Sequence, residues 1–170
     1  MMSMSPTVRL ADYSCERHAQ SIVRLLDGYA RDPAGGGQPI PADRLSRLVG
    51  ELARRPYAFS LLAFVDDRAV GLINCFESFS TFACQGIVNI HDVVVEREFR
   101  GRGIAGELLQ AVEEVAAERG CCKMTMEVLE GNEPAQRAYR RFGFVPYQLR
   151  EEDGRAMFWE KKIDVGGSPL

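Results

Sequence analysis

Residues 100–106 read Arg-Gly-Arg-Gly-Ile-Ala-Gly and lie between a β-branched run, Ile87 to Val95, and a segment with helical apolar spacing, Ile104 to Ala117. This composition suits a backbone anion site. The first amides of a helix have no intrahelical partner, and the helix dipole places partial positive charge beside them. Gly101, Gly103 and Gly106 remove the Cβ atoms that would obstruct a phosphate, and Arg100 and Arg102 add full charge. The chemistry implied is recognition of a ligand with more than one phosphate, such as a nucleotide or a coenzyme pyrophosphate.

Two phosphate-binding patterns compete for this stretch. Gly101-x-Gly103-x-x-Gly106 matches the dinucleotide fingerprint, with Glu127 about 20 residues on, where a ribose-binding acid belongs. A doubly wound sheet needs several βαβ units, however, and only one is readable, so a nicotinamide oxidoreductase is the weakest expectation. The P-loop pattern fails because no Lys-Ser or Lys-Thr follows.

Arg100-x-x-Gly103-x-Ala105 resembles the acetyl-CoA signature of the GNAT superfamily of N-acetyltransferases, Arg/Gln-x-x-Gly-x-Gly/Ala, in the strand-to-helix position it occupies there. A second segment, Asn132-x-x-Ala135-x-x-x-Tyr139-x-x-x-Gly143-Phe144, is similar to that superfamily's downstream motif. The resemblance runs from about Val8 to Lys162 and is most specific between Asn89 and Phe144. It implies an α/β (α+β) fold with about four helices around a mixed, mostly antiparallel sheet of about seven strands, splayed between the fourth and fifth.

The resemblance also implies a chemistry. Acetyl-CoA would be the co-substrate, with no metal. Backbone of Val93 and Val95 would hold the pantetheine arm, an N–H at Val93 or Val94 would polarise the thioester carbonyl, and the turn from Arg100 through Ile104 to Ala105 would take the pyrophosphate. Tyr139 corresponds to the residue that protonates the departing thiolate; otherwise it is an aromatic packed on its helix. Asn132 would hold the coenzyme arm, cap its helix, or do both.

A general base must come from Asp92, His91 or Glu77 if one is used. Successive residues of a regular strand face opposite ways, so His91 and Asp92 are expected to diverge. Asp92 is preferred, either as the base or as a hydrogen-bonded anchor for the loop before Arg100. Asp32, Glu77, Phe79, Thr81 and Phe82, with His91, are candidates for an acidic and aromatic acceptor pocket, or are solvated loop residues. The expected acceptor is a primary amine of a small molecule, attacked directly in a ternary complex. The alternatives are a protein lysine or N-terminus, or a module that binds acyl-CoA without turnover.

The remaining pattern places these groups. The chain has 170 residues, 46% hydrophobic and 26% charged, consistent with one domain, and its net charge of −3 with interleaved Arg and Glu gives no nucleic-acid footprint. No membrane span or leader is readable, so a cytoplasmic protein is expected, with a homodimer possible. Five cysteines without C-x-x-C spacing read as free thiols. The pattern predicts a strand at 8–10, helices at 16–30 and after Pro41, and a hairpin at 57–65 and 69–79. It then predicts the strand and helix described above, a strand at 122–129, a helix at 134–142, and a closing strand pair at 144–149 and 156–161. A frayed tail is expected from 163.

Overall fold

The computed structural model describes residues 5–163. Nine elements follow one another as β1 (Thr7–Leu10), α1 (Glu16–Arg31), α2 (Ala42–Ala53), β2 (Ala58–Val65), β3 (Arg68–Ser80), β4 (Gln85–Val95), α3 (Ile104–Glu118), β5 (Lys123–Met126) and α4 (Glu133–Phe142). The strands form one sheet in chain order; β1 to β4 are antiparallel and β5 lies parallel to β4. The predicted elements up to α4 are present with small shifts at their ends. The α1–α2 connection is a hydrogen-bonded turn, with the Asp32 carboxylate accepting from the Ala34 N–H at 3.1 Å and Gly37 N–H bonding back to Asp32 at 3.1 Å.

The sheet is apolar on both faces because helices cover both. Ile73, Cys75, Val88 and Ile90 pack with Ile104, Leu108, Leu109 and Val112 of α3, while Leu62, Leu72 and Val94 pack with Ile22 and Leu25 of α1 and Leu52 of α2. Ile104, Leu108 and Val112 of α3 form a stripe at i, i+4 and i+8, and Ile22 and Leu25 of α1 stand at i and i+3. Gly71 on β3 makes the approach of α3 possible: a Cβ there would lie 3.1 Å from both Ile104 Cγ2 and Leu108 Cδ1.

The sheet has five strands rather than about seven. Segments 144–149 and 156–161 approach through one backbone hydrogen bond, Ala156 N–H to Tyr147 at 2.9 Å, and build no ladder. Val145, Tyr147, Leu149, Met157, Phe158 and Trp159 all stay exposed, so the pair lacks the buried face that a marginal two-stranded ribbon needs. Most of the predicted tail falls outside the described residues. Among those described, no helix is long and apolar enough to cross a membrane.

Gly71→Ala is expected to destabilise the fold by about 1–3 kcal/mol through overpacking against α3, read as a lower urea midpoint with an unchanged slope.

Candidate active site

The ladder between β4 and β5 runs only from Ile87↔Lys123 to Ile90↔Met126, and β5 ends there, whereas β4 continues to Val95. Val93, Val94 and Val95 therefore have β3 on one side and, among the described residues, no strand on the other. This leaves a stretch of unpaired strand edge able to bond an extended ligand.

The edge leads into the glycine turn. Gly101 and Gly103 have φ of +76° and +84°, in the left-handed region where a side chain is strained. Gly103 caps α3 without a side-chain hydrogen bond, and the first helical bond is Glu107 N–H to Gly103. Among the described residues, the amides of Gly101 through Gly106 find no acceptor. A Cβ at Gly106 would meet nothing within 4 Å, so its absence makes room for nothing in this chain. Arg100 donates through Nε to the Val95 carbonyl and through Nη2 to Asp32 Oδ2, both at 3.0 Å. Arg102 lies over the Phe99 ring, 5.1 Å from its centroid.

At the inner end of the free edge, β4 carries one residue more than β3. Asp92 pairs with Asn74 and Ile90 with Cys75, leaving His91 as the bulged residue. This corrects the expected divergence of His91 and Asp92, which assumed a regular strand. His91 meets the Phe76 ring edge-on at 5.4 Å, and the Asp92 carboxylate accepts from Asn74 Nδ2 at 2.9 Å. Both side chains contact β3 residues of the face covered by α1. Asp92 is also near enough to Tyr29 of α1 that its charge helps raise the Tyr29 phenol, after burial.

Tyr139 reaches the same region from α4. It packs against the α3-side core and edge-on to Phe144, with ring centroids 6.3 Å apart. Burial first, then the neighbouring Tyr29, push its phenol up to about 12. The hydroxyl is thus fully protonated at neutral pH. Asn132 caps α4, its Oδ1 accepting from Ala135 N–H at 3.3 Å. Together, an uncapped helix start, a free strand edge, a carboxylate and a protonated phenol surround one gap in the sheet.

Residues 22–144 match the model of the acetyltransferase (GNAT) family. The chain belongs to this family. Bovine thialysine N-ε-acetyltransferase is 35% identical over 77 residues, 45% of this chain and 44% of that protein. N-alpha-acetyltransferase 30 of Schizosaccharomyces pombe is 33% identical over 91 residues, 53% of this chain and 59% of that one. The chain thus spans about half the length of these relatives. A crystal structure of a probable acetyltransferase superposes with a TM-score of 0.78 over 93% of this chain and 99% of the other, at 22% identity. An aminoglycoside acetyltransferase from an uncultured soil metagenomic sample, in complex with sisomicin, gives 0.73 over 92% and 97% at 13% identity.

The GNAT fold does not bring every predicted site residue to the gap. Glu77 lies across the sheet, paired with Arg119 at 3.1 Å. Phe79, Thr81 and Phe82 sit at the exposed β3–β4 turn, where Phe79 pairs with Gly86. That is roughly 20 Å along β4 from Asp92 at about 3.3 Å per residue. Asp32 is at the gap's rim, but its carboxylate binds the Ala34 amide and Arg100, which hold it below the usual carboxylate range. The loop before Arg100 is fastened by Arg100 itself, not by Asp92. A shallow depression lined by Arg68, Glu96, Arg97 and Glu98 lies outside this set, with Arg68 bridging both glutamates at 2.7 Å.

Sequence reasoning missed Ser60 and Asn74, the buried partners behind Asp92. Each was a lone polar residue inside an apolar strand run, which is the signal that could have found them.

The raised Tyr139 phenol makes a pH prediction. A Tyr ionising at about 12 when folded and about 10 when unfolded contributes stability fully present below pH 10 and lost as pH rises towards 12. Tyr139→Phe is therefore expected to lose less stability than the parent across that window, measured by urea unfolding at each pH.

Proposed function

We propose that this chain is an acetyl-CoA-dependent N-acetyltransferase that transfers the acetyl group to a primary amine of a small molecule by direct attack in a ternary complex. The observation that carries this reading is the set of six consecutive partnerless amides, Gly101 to Gly106, continuous with the free edge of β4. The exposed, Cβ-free surface at Gly101, Gly103 and Gly106 fits a pyrophosphate, and the edge at Val93 to Val95 fits an extended pantetheine arm. Acetyl-CoA supplies the activated thioester.

The chain's residues have distinct roles in this mechanism. Asp92, directly or through water, takes a proton from the incoming alkylammonium. The amine nitrogen then bonds to the thioester carbonyl carbon, and the backbone N–H of Val93 stabilises the developing oxyanion; of the two candidates it is the one on the free side of β4, because the register turns the Val94 amide to Leu72. As the carbon–sulfur bond breaks, its electron pair goes to sulfur, Tyr139 donates the proton that releases CoA as a thiol, and the excess proton on the new amide nitrogen passes to the resulting phenolate, directly or through water. Asn132 fixes the start of the helix that aims Tyr139. Arg100 and Arg102 add charge at the pyrophosphate, while Asp32 lies where the α1–α2 turn meets that site.

Relatives named for thialysine and streptothricin support a small amine acceptor, as does the fold shared with aminoglycoside acetyltransferases. The N-alpha-acetyltransferase relatives in Schizosaccharomyces pombe and Arabidopsis thaliana support a peptide N-terminus as the second reading.

The first test is thermal stabilisation by acetyl-CoA, CoA and NAD, followed by thiol release from acetyl-CoA across small amines, aminoglycosides and N-terminal peptides. Stabilisation follows RT ln(1 + [L]/Kd), about 2.7 kcal/mol at a hundredfold excess over Kd. Stabilisation by both CoA species and acceptor-dependent release are expected. Binding without release on any acceptor would favour a non-catalytic acyl-CoA module; no stabilisation by either CoA species overturns the reading. Gly106→Ala is expected to weaken CoA binding without destabilising the free protein, because only the ligand would meet the added methyl. Tyr139→Phe should lower kcat by about 10²-fold or more with little change in the KM for acetyl-CoA.

A further inference from the structure

Asp92 stands at the end of a polar row that crosses the sheet. Ser60 of β2 pairs directly with Asn74 of β3, and Asn74 with Asp92 of β4. Their side chains are joined in the same order. Ser60 Oγ donates to Asn74 Oδ1 at 2.6 Å, and Asn74 Nδ2 donates to Asp92 Oδ2 at 2.9 Å. Behind them, the Tyr13 hydroxyl meets Ser60 Oγ at 2.9 Å. Ser60 is 0% exposed and Asn74 3%, so no solvent competes for the bond between them, while the bonds to Tyr13 and Asp92 are part-buried.

The proton count fixes the direction of the row. Ser60 has one hydroxyl proton, committed to Asn74 Oδ1, so Tyr13 must be the donor to Ser60. With its oxygen thus occupied, the Asn74 amide presents its N–H to Asp92. The N–H facing Asp92 bonds its Oδ2 and so holds the carboxylate in one rotamer. An amide does not release and recapture protons at neutral pH, so the row orients the carboxylate rather than conducting a proton.

We propose that Asn74 is a positioning residue, held by Ser60 and Tyr13, which fixes Asp92 as an oriented carboxylate facing the acceptor amine. This rests on Asp92 acting as the base. The other titratable or charged groups around Asp92 are Tyr29 of α1, Asp32 and Arg100 at the rim near Tyr29, His91 beside it and Cys75 of β3. Only Asn74 reaches it with a hydrogen bond among the described residues.

The test compares Asn74→Asp, Asp92→Asn and the exchanged double variant. The first readout is the pH profile of kcat/KM for thiol release, with thialysine as the acceptor probe. The second is the carboxyl ¹³C titration of Asp92, which needs no acceptor. Asn74→Asp replaces the N–H donor with a second carboxylate. The acid limb and the Asp92 titration should both move up by about one pH unit or more, and kcat/KM at neutral pH should fall about 10- to 100-fold while the KM for acetyl-CoA holds. The double variant restores one amide and one carboxylate, so it should recover thermal stability but not turnover.

Two results separate the proposal from its foundation. If Asp92→Asn keeps the parent acid limb and rate, Asp92 is not the base and the reading beneath the proposal fails. If Asp92→Asn abolishes the limb while Asn74→Asp leaves both the limb and the carboxyl titration unmoved, the positioning role alone is overturned. Loss of stability in Asn74→Asp with an unshifted titration would mark Asn74 as structural only. Should thialysine not be turned over, an unmoved Asp92 titration in Asn74→Asp still overturns the proposal.

Discussion

The phase of β4 depends on one inserted residue. Before His91, the even-numbered Val88 and Ile90 pack under α3; after it, the odd-numbered Val93 and Val95 do, and Val94 turns to the α1 side. A regular strand would have carried Asp92 onto the face of Ile90, among Ile104 and Leu108. An unpartnered carboxylate there would cost several kcal/mol or be forced neutral. The bulge therefore sends the charge to the face where Asn74 waits, while the valines keep the α3 core closed. It falls next to the point where β5 stops pairing, so the carboxylate and the free strand edge arrive together.

The two cores on either side of the sheet give that gap its walls. α3 packs against one face and presents its bare N-terminus at the end of β4, with α4 behind it bringing Tyr139. α1 covers the other face and delivers Tyr29 and, just beyond its end, Asp32. The Arg100–Asp32 pair fastens the α1–α2 turn to the glycine turn. Both side chains remain partly exposed, so this pair contributes little to stability, and its use is geometric: it joins the two sides of the site across the end of the sheet.

The glycine turn was legible because its composition has a local cause. Positive φ at Gly101 and Gly103 and a capless helix start are written in adjacent residues, and so are the Asn132 cap and the periodic faces of α1 and α3. The bulge was not legible, because an extra residue in a strand is defined only against its partner, and the sequence of β4 alone does not mark which residue is extra. Glu77, Phe79, Thr81 and Phe82 were gathered by proximity in sequence to the central strand. A long hairpin carries three of them to its tip, and alternation turns Glu77 towards Arg119. The last strand pair was overread for a related reason: alternating apolar residues mark a strand only when something covers them.

A sheet interior can be held together without polar atoms, and apolar residues in place of Ser60 and Asn74 would pack it with fewer conditions. These two side chains are tolerated because each of their polar side-chain atoms has a partner, and for Asn74 Nδ2 that partner is Asp92. The row is therefore not a self-contained staple of the core. Its one charged end lies at the gap, half-buried, on the strand whose edge is free. What β2 and β3 contribute to the site is thus direction: strand register, fixed by hydrophobic packing far from the glycine turn, sets the angle at which a carboxylate meets whatever enters between β4 and β5.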